Sequence, residues 1–206
     1  HTISHSVTGV QTCALPIFKD AHKKLTIVRL GTSGALQPEI DLASYVMTEI
    51  SIGFDGLLNF YANRNEVSEL EMEQAFLKHT DWNALCAKPY FNYSSKKLVD
   101  LFADFTIKGI TISAPGFYGP QGRVLRLPLA DPKLNDKIVD FNYNGRKITN
   151  FEMESSAING LSRLLGHDSI TICAIIANRV IKDATKDYRP AISRLIELTL
   201  DKLATI

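Results

Sequence analysis

The sequence offers almost nothing to a disulfide framework. Its 206 residues hold three cysteines, Cys13, Cys86 and Cys173, with no paired spacing. Cys173 lies in an apolar stretch where a buried, inert thiol is expected, and such usage fits a reducing, cytoplasmic setting. Charge of one sign is also lacking. With 23 Lys and Arg against 22 Asp and Glu, the formal net charge is +1 and the two signs are interspersed. Neither nucleic acid nor an anionic membrane surface is therefore an expected partner. The longest apolar run lies within residues 170–177, far short of the roughly 20 residues that cross a bilayer as a helix. No repeat, low-complexity tract or linker divides the chain. What remains is an ordinary globular composition, 45% hydrophobic and 22% charged, able to bury one good core.

Residues 1–17 lack something more basic. They contain no Lys, Arg, Asp or Glu, no initiator methionine, and neither the basic start nor the apolar middle of a signal peptide. Residues 7–17, Val-Thr-Gly-Val-Gln-Thr-Cys-Ala-Leu-Pro-Ile, resemble the in-frame translation of a common sequencing adapter. The expectation is a non-native segment at 1–17, followed by one domain over 18–206 whose first part is missing.

Along that domain, strands and helices alternate. Residues 25–30 read as an apolar strand running into a turn bounded by Gly31 and Gly34. Backbone N–H groups of such a turn can form an anion cradle, and Arg29 can add a bidentate fork. Residues 44–50 form a second strand and residues 57–61 a third, and the short link at 53–56 argues for an antiparallel or mixed portion of sheet. Ser68 and Glu71 read as a capping box for a helix over 69–77. A short helical turn is expected near Trp82 and Leu85, then an extended link over 89–93. Ser94 or Ser95 caps a helix with Leu98, Leu101, Phe102 and Phe105 on one face. A strand at 107–113, a helix at 132–141, a turn at 142–145 and a strand at 147–153 follow. A helix over 154–165 ends at Gly166, and residues 169–177 suit a central strand buried on both faces. The last helix starts near Pro190. Its stripe of Ile192, Leu195, Ile196, Thr199, Leu200 and Leu203 is expected to pack on the core. The pattern predicts an α/β fold with a mixed central sheet flanked by helices.

Two further stretches carry chemistry. Residues 114–123, Ala-Pro-Gly-Phe-Tyr-Gly-Pro-Gln-Gly-Arg, follow a strand and offer a planar ring, an amide and a guanidinium. Phe117 can stack on an aromatic base while Gln121 and Arg123 address its N–H and carbonyl groups, which suits a uracil-like ring. The same pattern also fits a plain Gly/Pro-rich surface loop. Residues 151–155, Phe-Glu-Met-Glu-Ser, place two carboxylates around Met153. One of them can accept both hydroxyls of a ribose; equally, Glu154 can be an acid favoured at a helix N-terminus.

Taken together the motifs resemble the nucleoside phosphorylase family. Residues 29–37, Arg-Leu-Gly-Thr-Ser-Gly-Ala-Leu-Gln, are similar to its phosphate and ribose motif. Phe117, Gln121 and Arg123 match the spacing of its uridine-specific members, residues 151–155 its ribose motif, and Ala177-Asn178-Arg179 the segment that closes its base pocket. The resemblance covers residues 18–206 and implies a three-layer α/β/α fold. It also implies phosphate-dependent cleavage of uridine to uracil and ribose 1-phosphate, in pyrimidine salvage. By the same resemblance Arg29, Thr32 and Ser33 contact phosphate, Thr32, Met153 and Glu154 the ribose, and Phe117, Gln121, Arg123 and Ile176 the base. Arg29 and Arg123 are the catalytic groups. No metal or organic cofactor is implied, since inorganic phosphate is a co-substrate, and the assembly implied is a dimer-based hexamer. Ser33 stands where a threonine is familiar in the family, and Ala177 is smaller than the branched residue expected there. Purine-specific relatives carry an aspartate near Asn178, whereas here no carboxylate appears before Asp183, which favours pyrimidine. A purine phosphorylase, a nucleosidase using water, and a binding-only fragment are the alternatives. The resemblance also implies that the chain as written, without the family's glycine-containing phosphate loop, is inactive.

Overall fold

The computed structural model describes residues 22–205; the expectation for residues 1–17, and Cys13, lie outside them. Among the described residues eight strands are formed: β1 (Thr26–Ala35), β2 (Tyr45–Gly53), β3 (Tyr90–Tyr93), β4 (Ile107–Ser113), β5 (Asn142–Tyr143), β6 (Arg146–Glu152), β7 (Asp168–Asn178) and β8 (Asp183–Ala184). The α-helices are α1 (Arg64–Val67), α2 (Leu70–Thr80), α3 (Lys96–Leu101), α4 (Leu134–Asp140), α5 (Ser155–Leu164) and α6 (Arg189–Leu203). The sheet runs β3-β2-β4-β6-β1-β7-β8, with β5 a short partner of β6. It is mixed, as the alternation predicts. β2/β4, β4/β6 and β1/β7 are parallel, whereas β1/β6, β2/β3 and β7/β8 are antiparallel. β2 also pairs antiparallel with β7 through Tyr45 to Met47. That extra pairing closes β2, β4, β6, β1 and β7 into a ring.

Helices cover the sheet through two apolar clusters. Ile50, Ile52, Ile110, Ile112 and Ile148 pack with Met72 and Phe76 of α2 and Ile138 of α4. Met47, Ile170 and Ile172 pack with Leu98 and Phe102 and with Leu195 of α6. Between strands runs a polar string. Thr48 Oγ1 donates to Thr111 Oγ1 (2.8 Å), Thr111 to Asn150 Oδ1 (2.8 Å), and Asn150 Nδ2 to Ser33 Oγ (3.0 Å). It links β2, β4, β6 and β1 with every buried group partnered, which fixes strand identity as apolar packing alone does not.

Several local expectations are corrected. β1 does not turn at Gly31–Gly34 but continues to Ala35, because β7 offers it a parallel ladder from Thr26↔Asp168 to Ala35↔Asn178, broken only by a bulge between Ser33 and Gly34. Neither glycine has a positive φ, so the expected cradle of turn N–H groups is not formed. Gly31 serves another purpose: a Cβ there would sit 3.0 Å from Arg29 Nη1, and its absence lets that side chain fold along the strand. Residues 57–61 are not a strand either. Asp55 Oδ1 accepts from Leu57 N (2.6 Å) and Gly56 is left-handed, so Leu57–Phe60 winds into a 3₁₀ turn. The capping box is not made. α2 starts at Leu70, the buried Ser68 hydroxyl has no partner, and Glu71 lies near Tyr143 instead. Ser95 does precede α3, but its hydroxyl donates to Asp168 (2.8 Å). On α6 only part of the stripe is core: Leu195 and Thr199 are buried, while Ile196 and Leu200 are 42% and 60% exposed. At 100° per residue they sit one position round the helix from the buried row.

Candidate functional site

The site begins where the C-terminal end of β6 meets α5 beside β1. Arg29, one-fifth exposed, projects from β1 between two carboxylates. Its Nη1 lies 3.0 Å from Glu152 Oε2, and its Nη2 donates to Glu154 Oε2. Nη1 also reaches Cys173 Sγ at 3.6 Å. Burial works to lower the Arg29 pKa, but Cys173 and the carboxylates of Glu152 and Glu154 outweigh it and raise the pKa above its usual value. The Cys173 thiol is pushed up to about 12 by burial and by Glu152, so it stays protonated. Glu154 is held above the usual carboxylate range by burial and by Glu152, against the pull of Arg29.

Glu152 and Glu154 are two residues apart and unlike. Glu152 is buried and accepts from Ser113 Oγ (2.5 Å), Ser155 N (2.9 Å), Ser155 Oγ (2.7 Å) and Glu154 N (2.9 Å). Glu154 precedes α5 and its side chain is 53% exposed. Met153 between them is partly exposed. The fold thus leaves one carboxylate and one thioether open to solvent and keeps the other carboxylate inside.

The second group lies on the loop after β4. Gly119–Gln121 forms a 3₁₀ turn, and Arg123 folds back over the exposed Phe117 ring, 3.7 Å from its centroid. Arg123 Nη1 donates to Phe117 O (2.5 Å) and Gln121 Oε1 (2.6 Å). Arg179, just past β7, joins this group to the first. Its Nη1 donates to Gln121 O (2.9 Å), its guanidinium lies 4.9 Å from the Phe151 ring centroid, and its stem runs beside Gly34. Among the described residues neither Arg123 nor Arg179 is paired with a carboxylate. Burial lowers the Arg123 pKa; burial and the neighbouring Arg123 bring Arg179 down to about 10. Two partly desolvated cations beside an exposed ring and an amide suit a planar group that gains negative charge.

The family model of the phosphorylase superfamily matches residues 13–203. The chain belongs to the phosphorylase superfamily. Among superfamily members it is 27% identical over 169 residues to a uridine phosphorylase of Thermococcus kodakarensis, covering 78% of this chain and 51% of that one. A Haemophilus influenzae uridine phosphorylase is 24% identical over 161 residues, covering 75% and 54%. The chain thus spans about half the length of the curated relatives it matches. A crystal structure of a Trypanosoma brucei nucleoside phosphorylase, described as showing uridine phosphorylase activity, superposes with a TM-score of 0.77 at 26% identity, over 88% of this chain and 64% of that one. The structure of a Schistosoma mansoni uridine phosphorylase shares the fold, with a TM-score of 0.60 at 22% identity, over 89% and 61%.

Within this phosphorylase domain the structure brings Arg29 together with Glu154, and Phe117 with Gln121 and Arg123. Thr32 is half-buried beside Ala174 on β7, and among the described residues its hydroxyl makes no hydrogen bond. Ser33 stands apart from the open side: it is buried and accepts from Asn150. Ile176 is half-buried near the end of β7. Sequence reasoning missed the roles of Glu152 and Cys173 around Arg29, and the link made by Arg179; the flanking Phe-Glu-Met-Glu-Ser motif is the one signal that pointed to Glu152. A cavity of about 1060 Å³ adjoins the loop after β4, lined by Trp82, Leu125, Leu127 and Leu134 together with Tyr118 and Arg123, so it meets the second group but does not include Arg29 or Glu154.

Proposed function

We propose that this chain is the base-binding and ribose-binding part of an enzyme that cleaves uridine with inorganic phosphate, giving uracil and ribose 1-phosphate. One observation carries the reading: Arg123 and Arg179, without carboxylate partners among the described residues, converge with Gln121 beside the exposed Phe117 ring. Such a group favours a pyrimidine leaving as an anion. Glu154 holds the ribose hydroxyls under Met153, and Arg29 and Thr32 hold phosphate for attack on C1′ as the glycosidic bond loosens. The bond to N1 breaks, its electron pair goes to the base, and a phosphate oxygen bonds to C1′. No metal or organic cofactor enters this reading.

Pyrimidine is favoured over purine by Asn178. Its Nδ2 donates to Gln37 O and Ile40 O (both 2.9 Å) and its Oδ1 accepts from Val180 N (3.0 Å). All its capacity goes into the loop, and none is left to protonate a purine N7. The same reading extends to a homo-oligomer, dimers gathered into a hexamer, acting in the cytoplasm in pyrimidine salvage; light scattering reads the assembly. The deciding experiment assays uracil release from uridine by the complete gene product with and without phosphate, with thymidine and inosine in parallel. Phosphate-dependent release from uridine is expected. Release without phosphate, or a preference for inosine, overturns the reading.

A further inference from the structure

Arg29 has two kinds of partner. Toward the interior, Nη1 meets Glu152, whose side chain is 1% exposed. Toward the open side, Nη2 meets Glu154, which is half exposed. The two ends of one guanidinium are therefore unequal: one is held by a group that cannot leave, the other by a group that can. Glu152 cannot leave because four donors besides Arg29 fix it. Ser113 Oγ and Ser155 Oγ approach Oε1, the backbone N of Ser155 approaches both oxygens, and Glu154 N approaches Oε2. Ser113 is tied in turn, its Oγ accepting from Ser156 N (2.8 Å), and Ser156 Oγ reaches Asp55 (3.2 Å) and Tyr90 (3.1 Å). A braced chain of polar groups thus ends on the inner edge of Arg29.

We propose that Glu152 is a positioning residue for phosphate capture: it pins the inner edge of Arg29 so that the outer edge alone is exchanged between Glu154 and the incoming phosphate. The inference rests on the phosphorolysis reading above. Phosphate arriving at the outer edge takes the place of the Glu154 carboxylate on Nη2. The freed carboxylate then turns to the ribose hydroxyls, so phosphate binding prepares the sugar site. Glu152 itself touches neither substrate.

The charge of Glu152 makes the idea sharp. A carboxylate beside Arg29 repels phosphate, so if its influence were electrostatic alone, Glu152→Gln would tighten phosphate binding. If it positions Arg29, the same change weakens it, because an amide cannot accept from all the donors aimed at it and the guanidinium loses its anchor. The test measures steady-state kinetics and melting temperature of the complete gene product for wild type, Glu152→Gln, Arg29→Lys and the double variant. In Glu152→Gln the KM for phosphate should rise about tenfold while the KM for uridine moves about twofold or less. In the Arg29→Lys background, where no fork remains to be pinned, Glu152→Gln should change the phosphate KM by less than about twofold. An unchanged or lowered phosphate KM in a folded Glu152→Gln protein overturns the proposal, as does an equal effect in both backgrounds. Should Glu152→Gln fail to fold, Ser113→Ala keeps the charge and removes one brace; it should raise the phosphate KM about threefold, and no change refutes the idea. Wild-type uracil release that ignores phosphate would refute the phosphorolysis reading itself, and this inference with it.

Discussion

Replacing Arg179 with Met should separate function from stability. The guanidinium is partly buried, stands beside Arg123 and has no carboxylate partner among the described residues, so the fold holds a cation at a cost. Its pKa falls from its ordinary value to about 10, which bounds the penalty at roughly 3 kcal/mol at about 1.4 kcal/mol per unit, and solvent on the open side reduces it to about 1–2 kcal/mol. The sign is definite. A cation with a lowered folded pKa is penalised at neutral pH, and the penalty fades as pH rises through about 10 and beyond. Against this gain, Met loses the bond to Gln121 O, an acceptor that keeps Asn135 Nδ2 at 3.2 Å, and retains the stem packing beside Gly34. Charge-assisted hydrogen bonds are worth about 1.5–3 kcal/mol, so gain and loss nearly cancel in folding. The Tm should stay within about 4 °C of wild type, since about 1 kcal/mol shifts a domain of this size by roughly 2–4 °C. In catalysis nothing cancels. On the proposed mechanism the guanidinium is needed only when the base carries charge, and kcat/KM for uridine should fall about 10- to 150-fold. Circular-dichroism melts and uracil-release kinetics measure the two. A fall in Tm above about 8 °C with kcat/KM unchanged would show that Arg179 is a structural strut and refute the reasoning.

Other perturbations follow the same logic. Because burial and Glu152 raise the Glu154 pKa, the KM for uridine should climb on acidification at a pH above the usual carboxylate value of about 4.3; Glu154→Gln should abolish that limb, and an acid limb at the ordinary value would contradict the assignment. Gly31→Ala puts a Cβ 3.0 Å from Arg29 Nη1, so the phosphate KM should rise about tenfold with Tm nearly unchanged, and an unaltered phosphate KM would count against Arg29 as its ligand. Arg64 grips the fully buried Glu73 through Nη1 and Nη2 at 2.9–3.0 Å. Arg64→Met should therefore destabilise by about 3–5 kcal/mol, and adding Glu73→Leu should restore most of it; a loss below about 1 kcal/mol in guanidinium unfolding would disprove the pairing's importance.

Much of the fold is legible where one local signal dominates. β4 and β7 fall where residues 107–113 and 169–177 predict them, β7 because continuous β-branched apolar sequence buried on both faces has few other uses. Of the turn expected over 142–145 only Asn144 and Gly145 turn, both with positive φ, while Asn142 and Tyr143 pair with β6 as β5; Gly166 adopts the left-handed conformation expected after α5. β1 is only half legible. Two glycines in four residues signal a turn, but a long parallel partner overrode the local preference. Residues 57–61 went the other way, with the Asp55 side chain and Gly56 deciding against a strand that apolar content alone suggested. In the candidate site, Arg29, Glu154, Phe117, Gln121 and Arg123 were readable because each sits in a short motif. The inward role of Glu152, the thiol of Cys173 and the bridge made by Arg179 were not, since each depends on side chains far apart in sequence.

The ladder between β1 and β7 also bears on how the molecule comes into being. Arg29 and Cys173 touch across 144 residues of chain, and Arg179 closes on Gln121 from just beyond β7. Closing so long a loop costs entropy before any contact repays it, so the pairing is expected to form late and slowly in folding. During synthesis no ribosome-bound chain short of residue 179 can hold the assembled pocket. Ligand binding should accordingly appear in one step with the completion of the sheet, which makes uridine or uracil affinity a direct reporter of the last stage of folding.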